Sequence, residues 1–182
     1  SKNILIPGFI AQDENGNTTT LGRGGSDFTS SLLANYSNAD QLEIWTDVSG
    51  MFTAHPKLVS QAIPISNLSY YEAMELSHFG AKVIYPPTLQ PLIDKNIPVI
   101  IKNTFKKNAK GTLINANGSS SLDGSTVKGI SHIEDVALIS LEGSGMIGIP
   151  GFSKRFFECL SNKQINIIMI TQASSEHSIC IG

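Results

Sequence analysis

The residues Gly22-Arg23-Gly24-Gly25-Ser26-Asp27 set three glycines around one arginine, then place a hydroxyl and a carboxylate at the start of a helical run, Phe28–Tyr36. Glycine lets backbone N–H groups come close to a ligand, and a helix N-terminus adds roughly half a positive charge. An arginine fork in the same turn matches a carboxylate or a phosphate through two parallel hydrogen bonds. Asp27 either holds a substrate ammonium group or caps the helix. A zwitterionic amino acid would meet both charges, whereas an ordinary glycine-rich turn would use the same residues without a ligand.

Thr46-Asp47 closes a short apolar strand, Leu42–Thr46. Ligands of layered α/β sheets gather beyond the carboxyl ends of strands, although Asp47-Val48-Ser49-Gly50 also suits a plain turn. Lys82, just after Gly80, could reach a phosphate or could simply face solvent. Neither a Walker sequence nor a dinucleotide fingerprint is present. The four histidines, His55, His78, His132 and His177, have no paired ligand spacing, so no metal site is expected. Cys159 and Cys180 match no metal or redox spacing and read as two buried thiols.

The elements that must position these groups alternate between strand and helix. A strand over residues 3–11, broken at Pro7-Gly8, leads to the hairpin signal Asn15-Gly16. Ser69 and Glu72 have capping-box spacing for a helix running to about Phe79 and ending at Gly80. Pro86-Pro87 opens a helix to about Lys95, and Ile97–Lys102 is a buried strand. This order predicts an α/β layered sheet. Asn115–Ser125 has almost nothing to bury and reads as a linker. Beyond it come a strand, Val136–Leu141, a glycine-rich loop, Gly143–Gly151, a helix, Phe152–Asn162, and two strands, Ile165–Ile170 and Ser178–Ile181. That is the opening of a ferredoxin-like βαββαβ unit without its second helix and last strand. Ile179 and Ile181 are therefore expected on an exposed edge, and both ends of the chain look truncated.

Composition excludes several classes. Thirteen Lys and Arg against fifteen Asp and Glu, a net charge of −2, leave no basic excess for nucleic acid. Apolar runs are strand-sized, so no membrane span is expected and a cytoplasmic location fits. Charged residues make up only 15%, which argues for extensive burial or a surface covered by something else.

Thr18–Phe28 (TTTLGRGGSDF), Glu43–Pro56 (EIWTDVSGMFTAHP) and Ser69–Ile84 (SYYEAMELSHFGAKVI) resemble aspartokinases of the amino acid kinase superfamily. Lys102–Ile114 (KNTFKKNAKGTLI) resembles the end of that kinase domain. Val127–Ser131, Ile139–Pro150 and Ile165–Ile179 are similar to a first ACT repeat, most like the bifunctional aspartokinase–homoserine dehydrogenase type. The resemblance implies a partial αβα kinase sandwich over residues 1–114, a linker over 115–126 and a partial ACT unit over 127–182. It implies phosphorylation of the side-chain carboxylate of L-aspartate by ATP with Mg²⁺, the first step toward lysine, threonine and methionine.

Carried over residue by residue, Arg23, Ser26 and Asp27 would hold aspartate. Thr46, Asp47, Phe52, Lys57 and Lys82 would meet the nucleotide, with Asp27 and Lys82 closest to the chemistry. Phe52 stands where many relatives have tyrosine, and Lys57 where arginine is common, so a hydroxyl contact and a bidentate fork are lost. The family's N-terminal lysine-plus-diglycine motif has no counterpart, so the chain alone is expected to be inactive. A non-catalytic amino-acid-binding and dimerising module is the alternative. For that regulatory unit, Met146, Gly151, Phe152 and Gln172 are the effector candidates. Threonine is favoured over lysine because Ile165–Thr171 carries no acidic residue, and a homo-oligomer through the unit is expected.

Overall fold

A computed structural model describes residues 3–78, 80, 83–118, 127–172 and 178–182. The chain divides into two compact units, Ser1–His132 and Ile133–Gly182.

The first unit begins with a hairpin, β1 (Ile10–Gln12) against β2 (Thr18–Thr20). Asp13 closes its turn: one carboxylate oxygen accepts the amides of Asn15 and Asn17 at 2.9 and 2.8 Å. The expected strand over residues 3–11 is much shorter, because Phe9 takes a positive φ of 75° just past the Pro7-Gly8 break. Helix α1 (Gly25–Ser37) starts three residues earlier than expected and ends on Asn38 in the left-handed conformation. Lys95 donates to the Asn35 carbonyl and to Asn38 Oδ1 at 2.6 and 2.7 Å, placing a cation at the negative end of the helix.

The main sheet runs β3 (Leu42–Thr46), β5 (Val99–Asn103), β6 (Thr112–Asn115), β4 (Asn67–Ser69). Its β3–β5 and β4–β6 pairs are parallel and its β5–β6 pair antiparallel. One face carries Ile44, Leu68, Val99, Ile101 and Ile114 into a core closed by Ala34, Tyr70, Ala73, Leu89 and Leu92. On the other face Lys102 pairs with Glu43 at 3.1 Å and lies 4.9 Å over the Trp45 ring.

Helix α2 (Tyr70–His78) is entered through the expected capping box. The Ser69 amide donates to Glu72 Oε2 at 2.7 Å and the Glu72 amide to Ser69 Oγ at 3.2 Å. Burial opposes ionisation of Glu72, but bonds from Lys128 and Ser69 outweigh it and hold the carboxyl below its ordinary range. The helix expected from Pro86 to Lys95 is instead a 3₁₀ turn, Pro86–Thr88, followed by one short turn, α3 (Gln90–Ile93). Asn115 belongs to β6, and its Oδ1 holds the amides of Asn117 and Gly118 at 3.1 and 2.9 Å. Residues 127–132 also pack with this unit: Lys128 meets Glu72 at 2.6 Å, and the Ile130 amide donates to the Thr53 carbonyl at 2.8 Å. The first unit thus extends well past residue 114.

The second unit holds β7 (Ile139–Glu142), α4 (Phe152–Asn162), β8 (Ile170–Gln172) and β9 (Ser178–Ile181) in an antiparallel sheet ordered β7-β9-β8. Here three expectations are corrected. Strand β9 is central, so Ile179 and Ile181 are buried among Leu141, Phe152, Phe156 and Leu160 rather than lying on an edge. Strand β8 begins only at Ile170, where its pairing with β9 begins. Cys159 is exposed, not buried, since α4 turns Phe156 and Leu160 toward the sheet and leaves Cys159 outside. No described helix is long and apolar enough to cross a membrane.

Candidate functional site

The six-residue glycine–arginine motif forms one concavity of about 650 Å³, lined by Gly22 through Asp27 and by Phe9. Gly24 is the N-cap of α1 with φ 70°, and a β-carbon there would lie 2.4 Å from Tyr85 Cβ. Both the handedness and the approach of Tyr85 therefore demand glycine. The Gly25 amide returns to the Gly22 carbonyl at 3.1 Å and the Phe28 amide to the Gly24 carbonyl at 2.9 Å. Among the described residues, the amides of Ser26 and Asp27 have no backbone partner, as expected in a first helical turn. Arg23 and Ser26 are exposed and Asp27 is half-buried. Burial pushes the Asp27 carboxyl above its ordinary range. Among the described residues no ion pair joins Arg23 to Asp27. The concavity thus presents a cation, an anion and free amides, a set that suits a small zwitterion.

Phe9 was not singled out by sequence, because its contribution depends on the hairpin. Its carbonyl accepts the Leu21 amide at 2.9 Å and its amide donates to Thr29 Oγ1 at 3.2 Å, which folds the segment over the start of α1.

The second group of candidates follows the carboxyl end of β3. Thr46 Oγ1 donates to Asp47 Oδ1 at 3.2 Å, and Asp47 is exposed. Phe52 bridges Pro64, and the flanking bonds Thr53 amide to Ile63 carbonyl (2.9 Å) and Ile65 amide to Met51 carbonyl (2.7 Å) fix this stretch. Thr112 Oγ1 accepts the Met51 amide at 2.8 Å and donates to the Ile65 carbonyl at 2.6 Å, a buried clasp that the sequence did not suggest. Lys57 is exposed, its amide resting on His55 Nδ1 at 3.3 Å. None of Thr46, Asp47, Phe52 or Lys57 lines the Arg23 concavity. Lys82 lies outside the described residues. Among those described, no group of three or more His, Cys, Asp or Glu could hold a metal ion.

In the second unit, Met146, Gly151, Phe152 and Gln172 come together on one pocket of about 320 Å³, with Ile149 and Ile179 on its wall. Gly151 is the left-handed N-cap of α4, so the pocket opens onto that helix's first turn. Its lining among the described residues carries no acidic side chain.

The model of the amino acid kinase family matches residues 2–103, and that of an ACT domain matches residues 139–182. A bifunctional aspartokinase/homoserine dehydrogenase 2, chloroplastic, of Zea mays is 44% identical over 182 residues, covering 98% of this chain and 20% of the maize protein. Escherichia coli aspartokinase III in complex with aspartate and ADP superimposes with a TM-score of 0.68 at 34% identity, over 96% of this chain and 38% of that one. The same enzyme with lysine and aspartate gives a TM-score of 0.70 at 35% identity, with the same coverage of both chains. The chain therefore spans about a fifth of the length of the maize relative. With an anion-and-cation concavity at the head of α1, a mixed parallel and antiparallel sheet in the same unit and these matches in the same order along the sequence, the chain belongs to the amino acid kinase family and continues into an ACT domain.

Proposed function

We propose that this chain is part of an aspartate kinase, transferring the γ-phosphoryl group of ATP to the side-chain carboxylate of L-aspartate. The observation that carries the reading is the Arg23–Asp27 concavity, whose opposite charges suit an amino acid. Arg23 would take a substrate carboxylate, Ser26 would support it and Asp27 would hold the ammonium group. The side-chain carboxylate oxygen would attack the γ-phosphorus, ADP would leave, and the product would be 4-phospho-L-aspartate. Such a transfer rests on positioning and charge neutralisation, which polar residues on short loops can supply. Thr46, Asp47, Phe52 and Lys57 would face the nucleotide and Lys82 its phosphates. Mg²⁺ would arrive with ATP, held by phosphate oxygens and water, and would neutralise charge on the transferred group.

The direct test uses the full-length protein that contains this chain. Aspartate and ATP with Mg²⁺ should give an acyl phosphate trapped by hydroxylamine. ADP release without hydroxamate would reject aspartate as acceptor. This chain alone should give no turnover, because the resemblance places a phosphate-binding lysine outside it.

The ACT pocket is proposed to take threonine. Free amides at the start of α4 suit its carboxylate, and Gln172 offers a donor and an acceptor for its amino and hydroxyl groups. Lysine would need a carboxylate for its second ammonium, and none lines the pocket among the described residues. Calorimetry on the full-length protein should register threonine binding; lysine binding without a threonine response would overturn the assignment. Ile139 and Ile170 remain exposed on the two outer strands of this sheet. Exposed apolar edges recruit another strand, which favours a homo-oligomer through this unit.

A further inference from the structure

We infer that Asn103 is a positioning residue that fixes the Thr46–Ser49 loop for nucleotide binding, a role that rests on the nucleotide reading of that loop. Asn103 is the last residue of β5 and sits directly across the parallel ladder from Thr46. It is only 5% exposed. Val99 and Ile101, which precede it on the same buried face, are apolar. A buried amide at the end of that row costs stability unless its hydrogen bonds are met.

The loop meets both donors, and the backbone just past β5 meets the acceptor. Asn103 Nδ2 donates to the Asp47 carbonyl at 3.2 Å and to Ser49 Oγ at 2.9 Å, while Oδ1 accepts the Phe105 amide at 2.8 Å. The Thr104 amide adds a tie to the Thr46 carbonyl at 2.8 Å. Aspartate at this position would keep the acceptor and lose both donors; glutamine would push the amide group a methylene too far into a packed layer. Beyond Ser49 the buried clasp of Thr112 on the Met51 amide takes over. The irregular stretch after β3 is therefore pinned at 47–49 and again at 51, with the Asp47 carboxylate outward. A loop without regular structure can present Thr46 and Asp47 in one place only if something holds it. Asn103 supplies that hold from a strand 54 residues away from Ser49 in sequence.

The test is steady-state kinetics of the full-length protein with Asn103→Asp, Ser49→Ala and Asp47→Ala, alongside thermal unfolding. Asn103→Asp should raise the Michaelis constant for ATP about tenfold and keep that for aspartate within about twofold, because the Arg23 concavity does not depend on it. Ser49→Ala removes one bond without burying a charge, and should raise the ATP constant about two- to threefold. It decides the matter if Asn103→Asp does not fold. A lower melting temperature with both constants unchanged, or raised together, would make Asn103 a purely structural residue and overturn the inference. If Asp47→Ala raises the ATP constant and the other two variants do not, the nucleotide reading stands and the inference falls. If Asp47→Ala also leaves ATP kinetics unchanged, the nucleotide reading fails and the inference fails with it.

Discussion

Replacing Arg23 with lysine in the full-length protein should raise the Michaelis constant for aspartate about tenfold or more and leave that for ATP unchanged. A lost charge-assisted contact is worth about 1.5–3 kcal/mol, which is that factor or larger. Lysine keeps the positive charge, so the loss would report the planar fork and its two parallel bonds rather than simple attraction. Arg23 is exposed and forms no ion pair among the described residues, so the fold does not lean on its guanidinium. The melting temperature should therefore stay within about one degree, consistent with an exposed substitution. Unaltered aspartate kinetics with weakened ATP binding would assign the arginine to the other ligand.

The Arg23 concavity was legible because all its charged members lie in six consecutive residues, and local spacing alone carries them to one helix start. The α2 cap was legible for the same reason: Ser69 and Glu72 satisfy each other within a single turn. Residues that act across long separations left no such trace. Asn103 and Thr112 read as ordinary strand residues, and their partners at Asp47, Ser49, Met51 and Ile65 appear only when β5 and β6 pair with their neighbours. Strands β4 and β6 went unread because three or four residues hold no period; their pairing with each other and with β5 makes them strands. Where β8 begins and where β9 sits both depend on strand pairing. Apolar content marked Ile165–Ile170 and Ser178–Ile181 as strand-like, but which strand lies in the middle is a matter of topology. The pocket of the second unit occupies an intermediate position. Its loop and helix residues are contiguous, whereas Gln172 reaches it only through the pairing of β8 with β9.

Asp27→Asn should move activity and stability in opposite directions. The substitution is nearly isosteric but removes the charge that would hold the substrate ammonium, so kcat/KM for aspartate should fall about 10- to 100-fold. Burial raises the Asp27 carboxyl above its ordinary range, which means the folded protein binds this proton more tightly than the unfolded chain does. Stability then falls as pH rises from the ordinary aspartate value of about 3.9 through the higher folded-state value, and the deficit persists at neutral pH. Asparagine has no such deficit. The variant should melt higher than the native protein at pH 7, and the difference should vanish as pH drops below about 4. The sign of that difference also separates the two roles open to Asp27. A carboxylate that only complements the α1 dipole would contribute about 0.3–1 kcal/mol, so its removal would lower the melting temperature at pH 7. Gly24, not Asp27, is the N-cap of α1, and that cap forms no side-chain hydrogen bond. Half-burial in a concavity shared with Arg23, on a helix whose cap is Gly24, favours a ligand role for Asp27 over a capping one. Lower stability of Asp27→Asn at pH 7 with unaltered aspartate kinetics would return it to a structural role.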